Sequence, residues 1–290
     1  MKARLGKLLP ALASLAIIVI AALVLWRKLS EVNAAEVAAN FAAIPGSALV
    51  LAGLFTAGAL LAIALYEVEM LRYLRPRASW RRPFVTGLIA FPIGHFVGLG
   101  AFSGGAIRYR VYSAAGFGAA DIGKLVLLSV MPYANGLGLL AAVAMLAATP
   151  GAAAALHLTE LVVTMIGAGL IVMHVLYVGL VIGRVRPLGS WFPAIELPSP
   201  RLTAIQYGLG VVEVLCAVAV LYVLLPPAAN IGFVPFVAVY VTAVAAGALS
   251  GVPAESLLGA VLAYRLVYEL LPFVGGLLLL LAYEARAQRV

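Results

Sequence analysis

Long apolar runs, separated by short segments of proline, glycine and charged residues, make up almost the whole chain. The runs are at least as long as the ~20 residues that a helix needs to cross a membrane. Strands of a membrane β-barrel would alternate apolar and polar residues, and no such alternation is present. The pattern predicts an all-α polytopic membrane protein, with about seven to eight membrane segments in a single integral membrane domain, residues 1–290. The candidate segments are residues 8–26, 46–71, 83–101, 121–148, 153–183, 202–225, 232–250 and 256–283.

Composition agrees with this class of protein. Hydrophobic residues make up 65% of the chain and charged residues 10%, against roughly 45–50% and 25% in soluble domains. The formal net charge is +8, but the basic residues flank the apolar runs as orientation signals do, which argues against a nucleic-acid partner. Three scattered histidines and one cysteine offer no metal-ligand spacing. No motif indicates a cofactor or covalent catalysis, so we expect neither a metal site nor an enzyme.

The positions of lysine and arginine predict how the segments are oriented. The basic residues Lys2, Arg4 and Lys7 place the N-terminus in the cytoplasm. The basic loop at residues 72–82 follows two segments later and should also be cytoplasmic. A third basic loop would fall outside if all three intervening apolar stretches crossed the membrane. The conflict disappears if residues 83–120 form a re-entrant hairpin that enters and leaves on one side.

Two glycines and two arginines interrupt the apolar sequence at residues 103–112. A cation at membrane depth costs roughly 2.5–3.5 kcal/mol, so these arginines are candidate functional residues. Glycines break a helix, and the free amides around Gly104–Gly105 together with Arg108 would bind an anion such as a lipid phosphate. Arg108 and Tyr112 are four residues apart and share a helix face, whereas Arg110 points elsewhere. In the alternative, both arginines reach the membrane surface from a helix end and the tyrosines form an interfacial belt.

Isolated acids within apolar runs mark cation paths, lipid amines or internal ion pairs. Glu67 ends the second segment and is a candidate for function, whereas Glu69 is expected to pair with Arg72. Glu213 stands deep in the sixth segment and must be protonated, paired or hydrated, with Arg108 or Arg265 as its partner. Arg265 and Glu269 are four residues apart and could instead satisfy each other.

These residues resemble the N-terminal membrane half of a known family, the bifunctional lysylphosphatidylglycerol flippase/synthetase, or multiple peptide resistance factor. The resemblance covers nearly the whole chain. It is carried by Tyr66-Glu67, Gly94-His95-Phe96-Val97-Gly98, Ser103-Gly104-Gly105-Ala106-Ile107-Arg108-Tyr109-Arg110-Val111-Tyr112-Ser113, Gly251-Val252-Pro253-Ala254-Glu255 and Ala263-Tyr264-Arg265-Leu266-Val267-Tyr268.

The resemblance implies a flippase in the bacterial inner membrane that moves aminoacylated phosphatidylglycerol to the outer leaflet and protects against cationic antimicrobial peptides. It also implies important polar positions at Glu67, Arg108 and Glu213. The chain departs from the family in lacking a soluble synthetase domain and a Pro-Gly-Gly segment with a further helix before the closing one. That loss would place Arg286 and Arg289 outside, unless the closing segment bends back at Pro272.

The leading hypothesis is a protein that binds or translocates an aminoacyl-phospholipid. In this hypothesis Arg108 and the amides around Gly104–Gly105 hold the phosphate, while Glu67 and Glu213 face the lipid's amine or balance Arg108. The alternative is a non-transporting scaffold for a separate synthetase, and a homodimer is also considered. The candidate lipid-binding residues are Glu67, Ser103, Gly104, Gly105, Arg108, Arg110, Tyr112, Glu213 and Arg265.

Overall fold

A computed structural model describes residues 44–97, 100–184, 197–225, 232–245, 261 and 263–287. These residues contain no β-strand, which confirms the all-α class for the described part of the chain. The last helix directly continues a π-helical segment, Arg265–Leu270. The helices are α1 (Gly46–Leu74), α2 (Arg81–Val97), α3 (Gly100–Ser113), α4 (Ala119–Ala147), α5 (Thr149–Leu156), α6 (Glu160–Ile182), α7 (Pro200–Leu224), α8 (Phe233–Ala245) and α9 (Leu271–Ala287).

Among the described residues, five helical segments are long and apolar enough to cross a membrane. They are α1, α4, α6, α7 and the closing segment Arg265–Arg286. The chain is therefore a multi-pass helical membrane protein. The predicted segment 8–26 lies outside the described residues, and helix α8 covers 13 residues within the predicted segment 232–250. The expected count of seven to eight segments is not confirmed.

One predicted segment proves to be two helices. The sequence indicated a single run at residues 153–183, but α5 ends at His157, whose φ of 55° is left-handed. A new helix, α6, begins at Glu160, and the hydroxyl of its N-cap residue Thr159 accepts a hydrogen bond from the Val162 amide at 3.4 Å. Such a cap satisfies an amide that has no partner within the helix. The apolar composition of the run hid this break.

Helices α2 and α3 form a hairpin that begins and ends at the same end of the molecule. The Arg75 guanidinium, just after α1, lies 3.0 Å from the Asp121 carboxylate in the first turn of α4. The chain between these residues therefore leaves and returns at one end of the bundle, which agrees with the hairpin expected for residues 83–120. Re-entry of this hairpin into the membrane from one side stays a prediction. At ~1.5 Å per residue, the 17 residues of α2 and the 14 of α3 reach roughly 21–26 Å into the bundle.

We call this the basic end, because Arg75, Arg77, Arg81 and Arg82 lie there. Helix α7 also starts at the basic end, since Arg201 lies 3.5 Å from Glu69. Helix α9 finishes there too, because Glu284 forms a 2.8 Å ion pair with Arg110 in the last turn of α3.

The direction of the closing segment corrects the sequence-based topology. It starts at the opposite end, where Ala263 packs in one cluster with Ala52 and Leu224. It then runs to the basic end without folding back at Pro272. The expectation that its C-terminal end lies opposite the basic loops is therefore wrong for the described residues. The π-helical turn before Pro272 widens the helix where proline removes a backbone donor.

Helices α4 and α7 cross at very close range. A Cβ on Gly210 would overlap the carbonyl of Pro132, so only glycine fits at this crossing. Pro132 cannot donate a backbone hydrogen bond to the Leu128 carbonyl, one turn earlier. The side chain of Gln206 on α7 donates to that carbonyl instead, at 3.4 Å. This hydrogen bond joins α7 to α4 at the carbonyl that the proline leaves without its usual donor.

Candidate functional site

A buried ion pair between Glu67 and Arg108 lies at the centre of the candidate site. The Nε of Arg108 lies 3.0 and 3.1 Å from the two carboxylate oxygens of Glu67, and Nη2 lies 2.8 Å from Oε2. The Tyr112 hydroxyl donates a further hydrogen bond to Glu67 Oε1 at 3.0 Å. Glu67 is 0% exposed and Arg108 4%. The predicted shared face of Arg108 and Tyr112 is confirmed, because both contact one carboxylate.

Glycines allow α1, α2 and α3 to pack closely around the ion pair. A Cβ on Gly87 of α2 would lie 3.1 Å from the Ala64 Cα and 3.2 Å from the Glu67 Cβ of α1. A Cβ on Gly104 of α3 would lie 2.9 Å from the Ala90 carbonyl oxygen of α2. Both distances are shorter than ordinary contacts, so a larger residue would push the helices apart and lengthen the ion pair.

The glycine pair does not break the helix as the sequence suggested. Gly104 and Gly105 lie inside α3, which begins at Gly100, so their amides are in the helical ladder rather than free for an anion. The Nη1 of Arg108 takes no part in the bonds to Glu67 and faces Gly104, where an added Cβ would be 3.2 Å away. The role of Gly104 is therefore close packing beside the guanidinium.

Glu213 on α7 is also fully buried. Neither of its carboxylate oxygens makes a hydrogen bond of standard geometry, although the Tyr66 hydroxyl is close enough to interact with it. Tyr66 also lies within electrostatic reach of Glu67 and Arg108. Tyr66 therefore lies near both Glu213 and the ion pair, and Glu213 is not the direct partner of Arg108. We call Glu67, Arg108, Tyr112, Tyr66 and Glu213 the polar core.

Three other predicted residues lie outside the polar core. Arg110 is engaged with Glu284, so it joins α3 to α9. Arg265 is exposed and forms no ion pair with Glu269, although both residues lie in the π-helical turn. The Ser103 hydroxyl donates to the Gly94 carbonyl at 3.3 Å and ties the two arms of the hairpin together.

Among the charged residues near the helix ends, one contact was predicted from the sequence and another was not. Glu69 pairs with Arg72 at 3.5 Å, as the three-residue spacing predicted. Asp121 occupies the first turn of α4, but its contact with Arg75 spans 46 positions and no local pattern signals it. Tyr66 was quoted for the resemblance without a role of its own. Its adjacency to Glu67 in an apolar run was the available signal.

The polar core can hold charge inside a hydrophobic bundle. The Glu67 carboxylate and Arg108 guanidinium balance each other, while Glu213 adds an acid that no described cation neutralises at ion-pair distance. Among the described residues, no group of three histidine, cysteine or acidic side chains could hold a metal ion. The arrangement defines a multi-pass membrane protein with ionisable groups in its interior.

Comparison with known proteins adds a relative but no function. No protein-family model matches the chain. The chain is 28% identical over 246 residues to an uncharacterized protein of Synechocystis sp., which covers 77% of this chain and 76% of that protein. Neither finding points to the multiple peptide resistance factor family, so the resemblance stays a prediction.

Proposed function

We propose that this protein binds and translocates a phospholipid with a cationic headgroup, of the aminoacyl-phosphatidylglycerol class, in the bacterial inner membrane. The observation that carries the proposal is the polar core, a buried ion pair with a further buried acid beside it. Ionisable groups in membrane segments are costly and most often serve substrates, ions or charge relays. We also propose that the basic end is cytoplasmic, as the positive-inside rule favours.

The charge of the polar core suits this class of lipid. The charges of Glu67 and Arg108 cancel, and Glu213 is a buried acid with no described cation at ion-pair distance. Its negative form is costly in a region of low dielectric until a cation lies beside it. Lysylphosphatidylglycerol carries a phosphate and two amines, so its headgroup has one net positive charge. The amine of the lipid would lie against Glu213 and its phosphate near Arg108 Nη1, so that each charged group of the headgroup has a partner of opposite charge. Tyr66 lies near both positions.

Lipid exchange in proteoliposomes tests the proposal. The protein is reconstituted with fluorescent lysylphosphatidylglycerol, and an outer-leaflet quencher reports how much lipid changes leaflet. Glu213→Gln should reduce the exchange rate at least tenfold, because it removes the carboxyl group that would ionise against the amine while keeping the shape of the side chain. Glu160→Gln is the matched control, since Glu160 is an exposed acid at the start of α6.

The outcomes separate transport from other roles. Equal exchange by the wild-type protein, by Glu213→Gln and by empty liposomes would refute the proposal. Binding of the lipid without exchange would instead favour the second hypothesis, a scaffold that presents the lipid to a separate synthetase. Exchange of phosphatidylglycerol at the same rate as the lysyl lipid would remove the cationic headgroup from the proposal.

A further inference from the structure

A cavity lies at the basic end, outside the polar core. It has a volume of about 760 Å³ and is formed by the end of α1, the connection to α2 and the turn before α4. The cavity is large enough for a phospholipid headgroup and the first part of its acyl chains. Its rim carries four arginines, which are Arg75, Arg77, Arg81 and Arg82.

The rim has an excess of positive charge. No acidic residue lines the cavity. Arg75 is neutralised by Asp121 at 3.0 Å, but no described acid lies within ion-pair distance of Arg77, Arg81 or Arg82. Arg81 and Arg82 also form the first turn of α2, where unpaired backbone amides add partial positive charge. Guanidinium groups bind phosphate oxygens in a two-pronged geometry, so the rim suits a phosphate.

The floor of the cavity is apolar and lies next to the polar core. Leu71 and Phe117 line the cavity. Leu71 lies one helical turn beyond Glu67 on α1, about 6 Å along the helix axis. The Phe117 ring lies 5.5 Å from the ring of Tyr112, the residue that donates to Glu67. A free phosphate ion would gain nothing from such a floor, whereas the glycerol and upper acyl carbons of a lipid would be buried by it.

We propose that this cavity binds the phosphate-bearing headgroup of an anionic phospholipid from the leaflet at the basic end. The phosphate lies against Arg77, Arg81 and Arg82, and the apolar part of the lipid lies on Leu71 and Phe117. Basic pockets at the ends of membrane helices are suited to anionic headgroups for this reason. Binding of lipid in this cavity does not depend on the proposed transport. The proposed function is needed only for a second role, in which lipid occupies this cavity before it reaches the polar core.

The experiment measures binding of phosphatidylglycerol to the full chain by native mass spectrometry, with phosphatidylcholine and inorganic phosphate as separate probes. The test variant carries Arg77→Gln, Arg81→Gln and Arg82→Gln. The control variant carries Lys124→Gln, Arg184→Gln and Arg286→Gln, which removes the same charge elsewhere. Thermal unfolding of both variants confirms that they fold.

We expect the test variant to bind phosphatidylglycerol at least tenfold more weakly than the wild-type protein, with the control variant within twofold of it. An equal loss in both variants would show general electrostatic attraction and overturn the proposal, as would no loss in either. Millimolar inorganic phosphate should not displace the lipid. Complete displacement would assign the cavity to a free phosphate ion instead. A test variant that fails to fold is replaced by Phe117→Ala, which removes the floor and should lower lipid binding without changing charge.

Discussion

The buried pair of Glu67 and Arg108 gives the sharpest prediction for stability. Removing one partner leaves the other charge without compensation in an apolar bundle, which costs about 3–5 kcal/mol for buried pairs. Arg108→Leu should therefore lower the free energy of unfolding by about that amount, and Glu67→Leu similarly. At about 2–4 °C per kcal/mol for a chain of this size range, the midpoint should fall by roughly 6–20 °C.

The double variant separates the pair from its surroundings. Replacing both residues by leucine removes both charges, so it should be more stable than either single variant. A coupling free energy between the two positions well above 1 kcal/mol is expected, because the residues are in direct contact. The Tyr112 hydroxyl then loses its acceptor, which keeps the double variant somewhat below the wild-type protein.

Thermal unfolding in detergent, monitored as the amount of monodisperse protein, gives the unfolding midpoint of the wild-type protein, the two single variants and the double variant. The pair of Arg110 and Glu284 is the internal control, since its side chains are 16% and 15% exposed against 5% and 0% for Arg108 and Glu67. Arg110→Leu should cost clearly less than Arg108→Leu, because solvent screens the more exposed pair. Additive losses in the double variant, or equal losses at the two pairs, would refute the argument from burial.

Three further substitutions test how the helices are held together. Gly104→Ala should destabilise the protein and weaken lipid exchange, because its Cβ would be 2.9 Å from the Ala90 carbonyl oxygen. Gly105→Ala should be close to neutral, because its Cβ would meet its neighbours at 3.5 Å or more. Thermal unfolding of both variants tests this, and equal midpoints would contradict it. Gln206→Leu should cost about 1–3 kcal/mol of unfolding free energy, since it leaves the Leu128 carbonyl without its donor inside the bundle, and an unchanged midpoint would show that another group satisfies that carbonyl.

The sequence predicted most of the long helices because apolar length alone decides whether a helix crosses a membrane. The segment at 46–71 is observed as Gly46–Leu74, and the one at 202–225 as Pro200–Leu224. The charge pattern also predicted the hairpin, because arginines mark the same end of the molecule wherever the chain returns to it. The division at His157 was missed, since a left-handed residue between two apolar runs leaves no clear mark in hydropathy.

The polar core was only partly predictable. Isolated charges such as Glu67, Arg108 and Glu213 stand out against an apolar background, so burial and importance could be inferred for each. The sequence offered both acids as groups that could balance Arg108, but it could not choose between them, because Glu67 and Arg108 are 41 positions apart and their contact depends on how the hairpin packs on α1. The sequence offered Arg108 or Arg265 as the partner of Glu213, but Arg108 is taken by Glu67 and Arg265 points away from the bundle interior as an exposed residue.

The connections at the two ends of the bundle explain why the polar core lies where it does. The chain leaves α1 at the basic end, forms the hairpin and returns there to start α4. After α7 it starts α8 at the opposite end, where Phe233 packs 5.1 Å from Tyr222, and Ala263 begins the closing segment at that same end. Thus α1 and α7 run in opposite directions, and each precedes a connection that starts and finishes on one side. These two helices pack against each other over their length, and they carry Glu67 and Glu213. At ~1.5 Å per residue, Glu67 and Arg108 lie roughly 8–11 Å before the ends of α1 and α3 at the basic end, whereas Glu213 lies near the middle of α7. The ionisable side chains therefore extend from the basic end into the middle of the bundle, where a headgroup must pass if it is to change leaflet.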